Sequence, residues 1–183
     1  MEQEVVMALI ESVVPGAAQE PVAGMFQEIE QVLGRVPGGM QLYAVSPELL
    51  AQQWQVAGYY ARHPRLSLAL TAAIRLLVSQ DNDCDYCIDF NAALLIERCG
   101  WTPEQVVASK RDMAAAPLPA SEKALLRVVL QAVNARQPAT RDNLEGLKQL
   151  GWSEADILDA VALGARNVAV DIIFNTFQVE PDL

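Results

Sequence analysis

The sequence predicts an all-α, single-domain helical bundle spanning residues 1–183. Apolar residues recur at helical spacing in the long segments. No run alternates over the length that a half-buried strand needs. Glycine and proline fall mostly between the periodic segments, as at Pro37-Gly38-Gly39 and Pro117-Leu118-Pro119.

Taken in chain order, residues 1–39 read as an N-terminal extension of two short helices packing on the bundle. Asn82 or Asp83 is placed to cap a helix that carries an apolar period through Leu95. Between Ser121 and Arg136 the apolar set Leu125, Leu126, Val129, Leu130 and Val133 lies on one helix face. Ile157, Leu158, Val161, Val168 and Ile172 predict the buried face of the last long helix. One arrangement occurs twice, 51 residues apart: Gly100-Trp101-Thr102 and Gly151-Trp152-Ser153. In each, the glycine suits the left-handed end of a helix and the Thr or Ser suits the N-cap of the next. Pro103 fits a first helical position. The bundle therefore contains a repeated helix hairpin.

Composition narrows the function. The chain has 52% hydrophobic and 20% charged residues and a formal net charge of -10. Its pI near 4.5 argues against nucleic acid and anionic membranes as partners. No segment approaches 18 uninterrupted apolar residues, so no membrane span is expected. Met1-Glu2-Gln3-Glu4 carries acids where a secretory leader carries Lys or Arg, which predicts a cytoplasmic chain with reduced thiols. The mean hydropathy of +0.16 is high for a monomer and points to apolar subunit contacts.

The chemistry concentrates in Cys84-Asp85-Tyr86-Cys87, with Asn91 one turn beyond Cys87. A Cys-x-x-Cys pair at a helix start suits dithiol redox work. Helix-end amides favour a thiolate, and the sulfurs are near enough to close a disulfide. Asp81, Asp83, Asp85 and Asp89 oppose that effect, and no Lys or Arg occurs between Arg75 and Arg98. A zinc site needs four ligands, and Cys84, Cys87, Cys99 and His63 are the plausible soft or imidazole donors. Cys99 lies 15 residues beyond Cys84, about 22 Å along one helix, so no metal and no cofactor is assigned. A structural pair of small buried cysteines is the other reading.

Val78-Ser79, Asn82 and Cys84-x-Tyr86-Cys87 resemble the core motif of alkyl hydroperoxidase D-like proteins of the carboxymuconolactone decarboxylase superfamily. The resemblance is strongest from Leu66 to Trp101 and extends weakly to Phe174-Asn175. It implies an all-helical fold assembled as a homo-oligomer, trimer or hexamer, and reduction of a hydroperoxide or small-molecule disulfide. Cys87 would attack, Cys84 would resolve, and an external dithiol such as a lipoyl group would restore the pair. Asn91 and Tyr86 would support it.

The motif departs from the family in two places. Family members with the full relay carry histidine where this chain has Asn91, and glutamate where it has Ala72. Asparagine takes no proton at neutral pH, and Leu66 through Gln80 contains no carboxylate. His63 reads as an exposed loop residue, while Asp85 and Asp89 are closer to the pair in sequence, and a desolvated aspartate can serve as a weak base. The expected function is a thiol-dependent peroxidase-like redox protein of low activity. The alternative is a non-catalytic oligomeric or small-ligand-binding member of the same fold.

Overall fold

The computed structural model describes residues 9–180 and 182. The leader reading of Met1–Glu4 falls outside the described residues. Helices joined by turns make up the described chain, with no strand among the described residues. The described residues up to Arg62, with the described residues from Phe174 onward, form one compact unit, and His63–Ile173 forms a second.

The first unit contains a short 3-10 turn at Pro15–Ala17, then α1 (Val22–Leu33), α2 (Gly38–Tyr43) and α3 (Pro47–Ala61). Val22, Phe26 and Ile29 recur at helical spacing and form the buried face of α1. The helix stops at Gly34, whose φ of 79° is the left-handed conformation that glycine adopts without cost. In α3, Pro47 takes the first helical position, where its missing N–H is no loss. Both α1 and α2 pack on α3, and the Tyr43 ring lies 5.7 Å from that of Phe174.

Residues 9–39 hold two short helical elements, the 3-10 turn at Pro15–Ala17 and α1, together with the first two residues of α2. One reading changes here. Pro37-Gly38-Gly39 opens α2 rather than separating segments, with the Met40 and Gln41 amides donating to the Pro37 carbonyl.

The second unit holds α4 (Leu68–Asp81), α5 (Asp85–Cys99), α6 (Pro103–Arg111), a 3-10 turn at Met113–Ala115, α7 (Ala120–Val133) and α8 (Arg141–Gln149). It also holds α9 (Glu154–Phe177) as far as Ile173. At the start of α4 the Ser67 hydroxyl caps the helix by accepting from the Leu70 amide at 3.0 Å. Leu70, Ala72, Ala73, Ile74, Leu76 and Val78 are all fully buried and lie round most of α4, leaving the side of Leu68 and Arg75. A helix buried over most of its surface belongs at a core, and α4 packs on α5, α6 and α7.

Both predicted hairpin turns form. Gly100 and Gly151 are left-handed, with φ of 71° and 91°. The Trp101 amide donates to Leu95 O and the Trp152 amide to Leu147 O, each at 3.1 Å, which closes the preceding helix. Thr102 forms a capping box with Gln105. Ser153 and Asp156 exchange the equivalent pair of bonds, at 3.1 and 2.9 Å.

The buried face of α9 matches the predicted one only in part: of the predicted set Ile157 is buried, and Val161 and Val168 are half-buried. Leu158 is 68% exposed and Ile172 58% exposed, while Ile157, Ala160, Leu163, Asn167 and Asp171 are buried. Two polar residues displace apolar ones because each finds hydrogen-bond partners inside the fold. Gly164 permits the close approach: a Cβ there would stand 2.8 Å from Val129 Cγ1 and 3.1 Å from Val133 Cγ2 on α7. Val129 is a stiff, fully buried β-branched side chain. Gly164→Val is therefore expected to lower stability by about 1–3 kcal/mol through overpacking, read as a shifted urea midpoint; an unchanged midpoint refutes this packing.

Candidate active site

The site lies wholly in the second unit, where α4 turns into α5. The turn contains Asn82, Asp83 and Cys84. The Asn82 and Cys84 amides both donate to Ser79 O, at 3.2 and 3.0 Å, and close the end of α4. Asp83 has a φ of 51°, a left-handed conformation that aspartate tolerates better than most residues. Asn82 thus ends α4 rather than capping α5, and Cys84 itself occupies the N-cap position of α5. Cys87 sits in the first turn of α5. Cys84 is fully buried and Cys87 is 5% exposed.

The decisive neighbour comes from α9. Asp171 is fully buried, and its carboxylate lies against the two thiols, the three ligand atoms all within 4.8 Å of one another. Oδ1 accepts from the Ser79 hydroxyl at 2.8 Å and from Asn167 Nδ2 at 3.1 Å. Oδ2 accepts from Asn82 Nδ2 at 3.2 Å and from Asn167 Nδ2 at 3.1 Å. Asn167 Nδ2 also lies 2.7 Å from the Ser79 hydroxyl oxygen. Asn167 and Asp171 are four residues apart, so one face of α9 supplies both. Cys84 and Cys87 hydrogen-bond to the carboxylate as well.

Charge in this pocket follows burial. Desolvation raises the Asp171 carboxyl above its ordinary range, against the opposing effect of the Cys87, Ser79, Asn82 and Cys84 hydrogen bonds. The hydrogen bond with Cys84, burial and the Asp171 charge all push the Cys87 thiol up. These surroundings favour the Cys87 thiol over its thiolate. The four aspartates around the motif, Asp81, Asp83, Asp85 and Asp89, are exposed. Solvent screens them, and neither Asp85 nor Asp89 is in position to act as the base.

The other predicted residues take different places. Asn91 is buried, receives Arg75 Nε at 2.9 Å and donates to Cys87 O at 2.8 Å. It ties α4 to the backbone of the cysteine helix. Tyr86 is buried and stacks on Phe90, with ring centroids 6.3 Å apart. Ala72 is fully buried in α4. His63 differs from its exposed-loop reading: its side chain is 4% exposed and its Nε2 lies 3.2 Å from Asp159 Oδ2. Its Nδ1 accepts from the Arg65 and Leu66 amides at 3.2 and 2.9 Å, which puts the ring proton on Nε2. His63 fastens a loop and stands apart from the cysteines. Cys99 ends α5, outside the thiol cluster.

Two thiols and a carboxylate are three of the four donors a structural zinc site takes. Among the described residues no further His, Cys, Asp or Glu joins them. A shallow cavity of about 240 Å³ elsewhere in the unit, lined by Leu77, Gln80, Lys110 and Asn134 among others, contains neither cysteine.

Sequence reasoning missed Asp171 and Asn167. The available signal was a carboxylate inside the apolar run Val168–Phe174, since a charge buried there needs partners. Nothing in sequence spacing links it to Ser79, 92 residues earlier.

Solved structures place this architecture. The chain matches an uncharacterized peroxidase-related protein from Ralstonia eutropha JMP134 with an alkylhydroperoxidase AhpD core. That match has a TM-score of 0.84 at 19% identity and covers 96% of this chain and 92% of that one. The fold is alkyl hydroperoxidase D-like. A peroxidase-related protein from Silicibacter sp. TM1040 shares the AhpD-like fold with a TM-score of 0.82 at 21% identity, over 96% of this chain and 92% of that one. The debrominase Bmp8 shares it with a TM-score of 0.77 at 16% identity, over 95% and 92%. No protein-family model and no curated protein matches the chain. No helix among the described residues is long and apolar enough to cross a membrane.

Because the folded Asp171 pKa lies above its ordinary value of 3.8, the folded state holds that proton more tightly than the unfolded state. Its contribution to stability is therefore full below 3.8 and is lost as pH rises through the folded value. In Asp171→Asn this titration is gone, so urea midpoints measured upward from about pH 4 should fall less steeply with pH than in wild type. An identical pH dependence in the two proteins refutes the assignment.

Proposed function

We propose that the chain is a dithiol–disulfide oxidoreductase that reduces hydroperoxides through Cys84 and Cys87. The observation that carries this reading is the buried carboxylate held against both thiols. A purely structural cysteine pair has no need of an acidic neighbour, because burying a carboxylate costs free energy. The AhpD-like fold, shared with peroxidase-related proteins, supports the same reading.

Cys87 keeps the residual exposure and Cys84 has none, which favours Cys87 as the attacking sulfur. It displaces an alcohol from the hydroperoxide and becomes a sulfenic acid. Cys84 then attacks that sulfur, water leaves, and a disulfide closes. An external dithiol, such as a lipoyl group, takes up the oxidising equivalent and returns both thiols. Two electrons pass from dithiol to peroxide in each cycle.

The similarity to a debrominase supports a second substrate class for the same pair, a halogenated ring that receives two electrons and releases halide. The exposed Leu158 and Ile172 of α9 support self-association. Light scattering is expected to give a multiple of 19.9 kDa, and a single-chain mass refutes it.

The main test follows hydroperoxide consumption with dihydrolipoamide as reductant. Wild type should turn over and form a reversible disulfide. Cys87→Ser should fall to the buffer rate, and Cys84→Ser should retain a sulfenic acid that a dimedone probe labels. Equal turnover in wild type and Cys87→Ser refutes the proposal, and halide release from a bromopyrrole in the same assay identifies the second class.

A further inference from the structure

We propose that Asp171 is the acid–base residue of the dithiol site, replacing from α9 the relay whose positions on α4 and α5 hold Ala72 and Asn91. This rests on the dithiol reading above and adds to it the group that moves the proton.

The geometry supplies what the reaction lacks. Ala72 has no proton to exchange, and Asn91 is committed to Arg75 and the Cys87 carbonyl. The four aspartates flanking the motif face solvent. Asp171 lies in contact with both sulfurs. Its carboxylate is fixed from two helices: Ser79 and Asn82 at the end of α4, and Asn167 one turn earlier on α9. Those donors orient the oxygens and help to hold the ionised form in a buried place.

The step balances as follows. Asp171 accepts the Cys87 thiol proton as the sulfur attacks the nearer peroxide oxygen. The S–O bond forms and the O–O bond breaks. The departing alkoxide takes the proton back from Asp171 and leaves as the alcohol, with Cys87 oxidised to the sulfenic acid and the peroxide reduced. Asp171 then accepts the Cys84 proton and passes it to the hydroxide that leaves Cys87 as the disulfide closes, giving water.

The groups facing Asp171 define its pH behaviour. From α5 these are the Cys84 and Cys87 thiols; from α4 and α9 they are the neutral Ser79, Asn82 and Asn167. Arg75, one turn before Ser79 on α4, directs Nε to Asn91. A carboxylate base facing two thiols makes sulfur attack level with pH across neutrality. An unassisted buried thiol makes it climb about tenfold per pH unit, following the thiolate fraction.

The test is single-turnover oxidation of the reduced full-length chain by hydrogen peroxide, read by thiol counting from about pH 6 to 9, the range over which a thiolate fraction changes most. Wild type should give a level profile. Asp171→Asn should oxidise about 100-fold more slowly near neutrality and climb with pH, a change of profile that a merely structural residue does not produce. An Asp171→Asn protein with the wild-type rate and profile overturns the proposal. So does a wild-type rate that itself climbs tenfold per unit, a result that needs no variant to fold. Absence of any disulfide in oxidised wild type overturns the dithiol reading and this inference with it. A disulfide in wild type with an unaltered Asp171→Asn overturns this inference alone.

Discussion

A carboxylate buried beside two thiols is the interaction on which the second unit is arranged. Taking Asp171 out of water costs free energy unless its oxygens are hydrogen-bonded, and the fold answers that cost from two helices. Ser79 and Asn82 come from the end of α4, and Asn167 from the same face of α9. The turn from α4 to α5 brings the cysteines to the same point. Each carboxylate oxygen accepts from both helices, so the network ties α4 to α9.

Helix-dipole arguments alone give an incomplete account of the thiols. A Cys-x-x-Cys pair at a helix start is usually read as a thiolate site, because free amides stabilise negative charge. Here burial, the Cys84 hydrogen bond and the Asp171 charge act in the opposite direction on Cys87. Reactivity then depends on where the proton goes during attack rather than on a standing thiolate. In the proposed dithiol chemistry Asp171 takes the place of the histidine and glutamate that this chain lacks at Asn91 and Ala72.

Much of the architecture was legible in local sequence. The Gly-Trp-Thr and Gly-Trp-Ser turns specify a left-handed stop followed by an N-cap, both decided within a few residues of backbone, and both form. The period of α7 was equally plain, and Leu125, Leu126 and Val129 are buried. The face of α9 was not, because Leu158 and Ile172 satisfy the same helical spacing as a core residue. Periodicity reports which residues share a face, and not whether that face meets another helix. Gly164 and Asn167 carried the answer, the first through close approach and the second through hydrogen bonding.

By itself the sequence determined the helical class, the hairpin turns, the spacing of Cys84 and Cys87, and that neither Ala72 nor Asn91 carries an acid–base side chain. Each is a property of composition or of residues a few positions apart, where backbone geometry leaves little choice. Only the tertiary structure decided that Asp171 meets the thiols, that Cys84 occupies the N-cap position of α5, and that His63 fastens a loop to Asp159. Asp171 and Ser79 are separated by 92 residues, and no local rule carries information over that distance. Their meeting follows from the approach of α9 to α4, where Gly164 lies against Ile74 and Asn167 and Asp171 bond to Ser79.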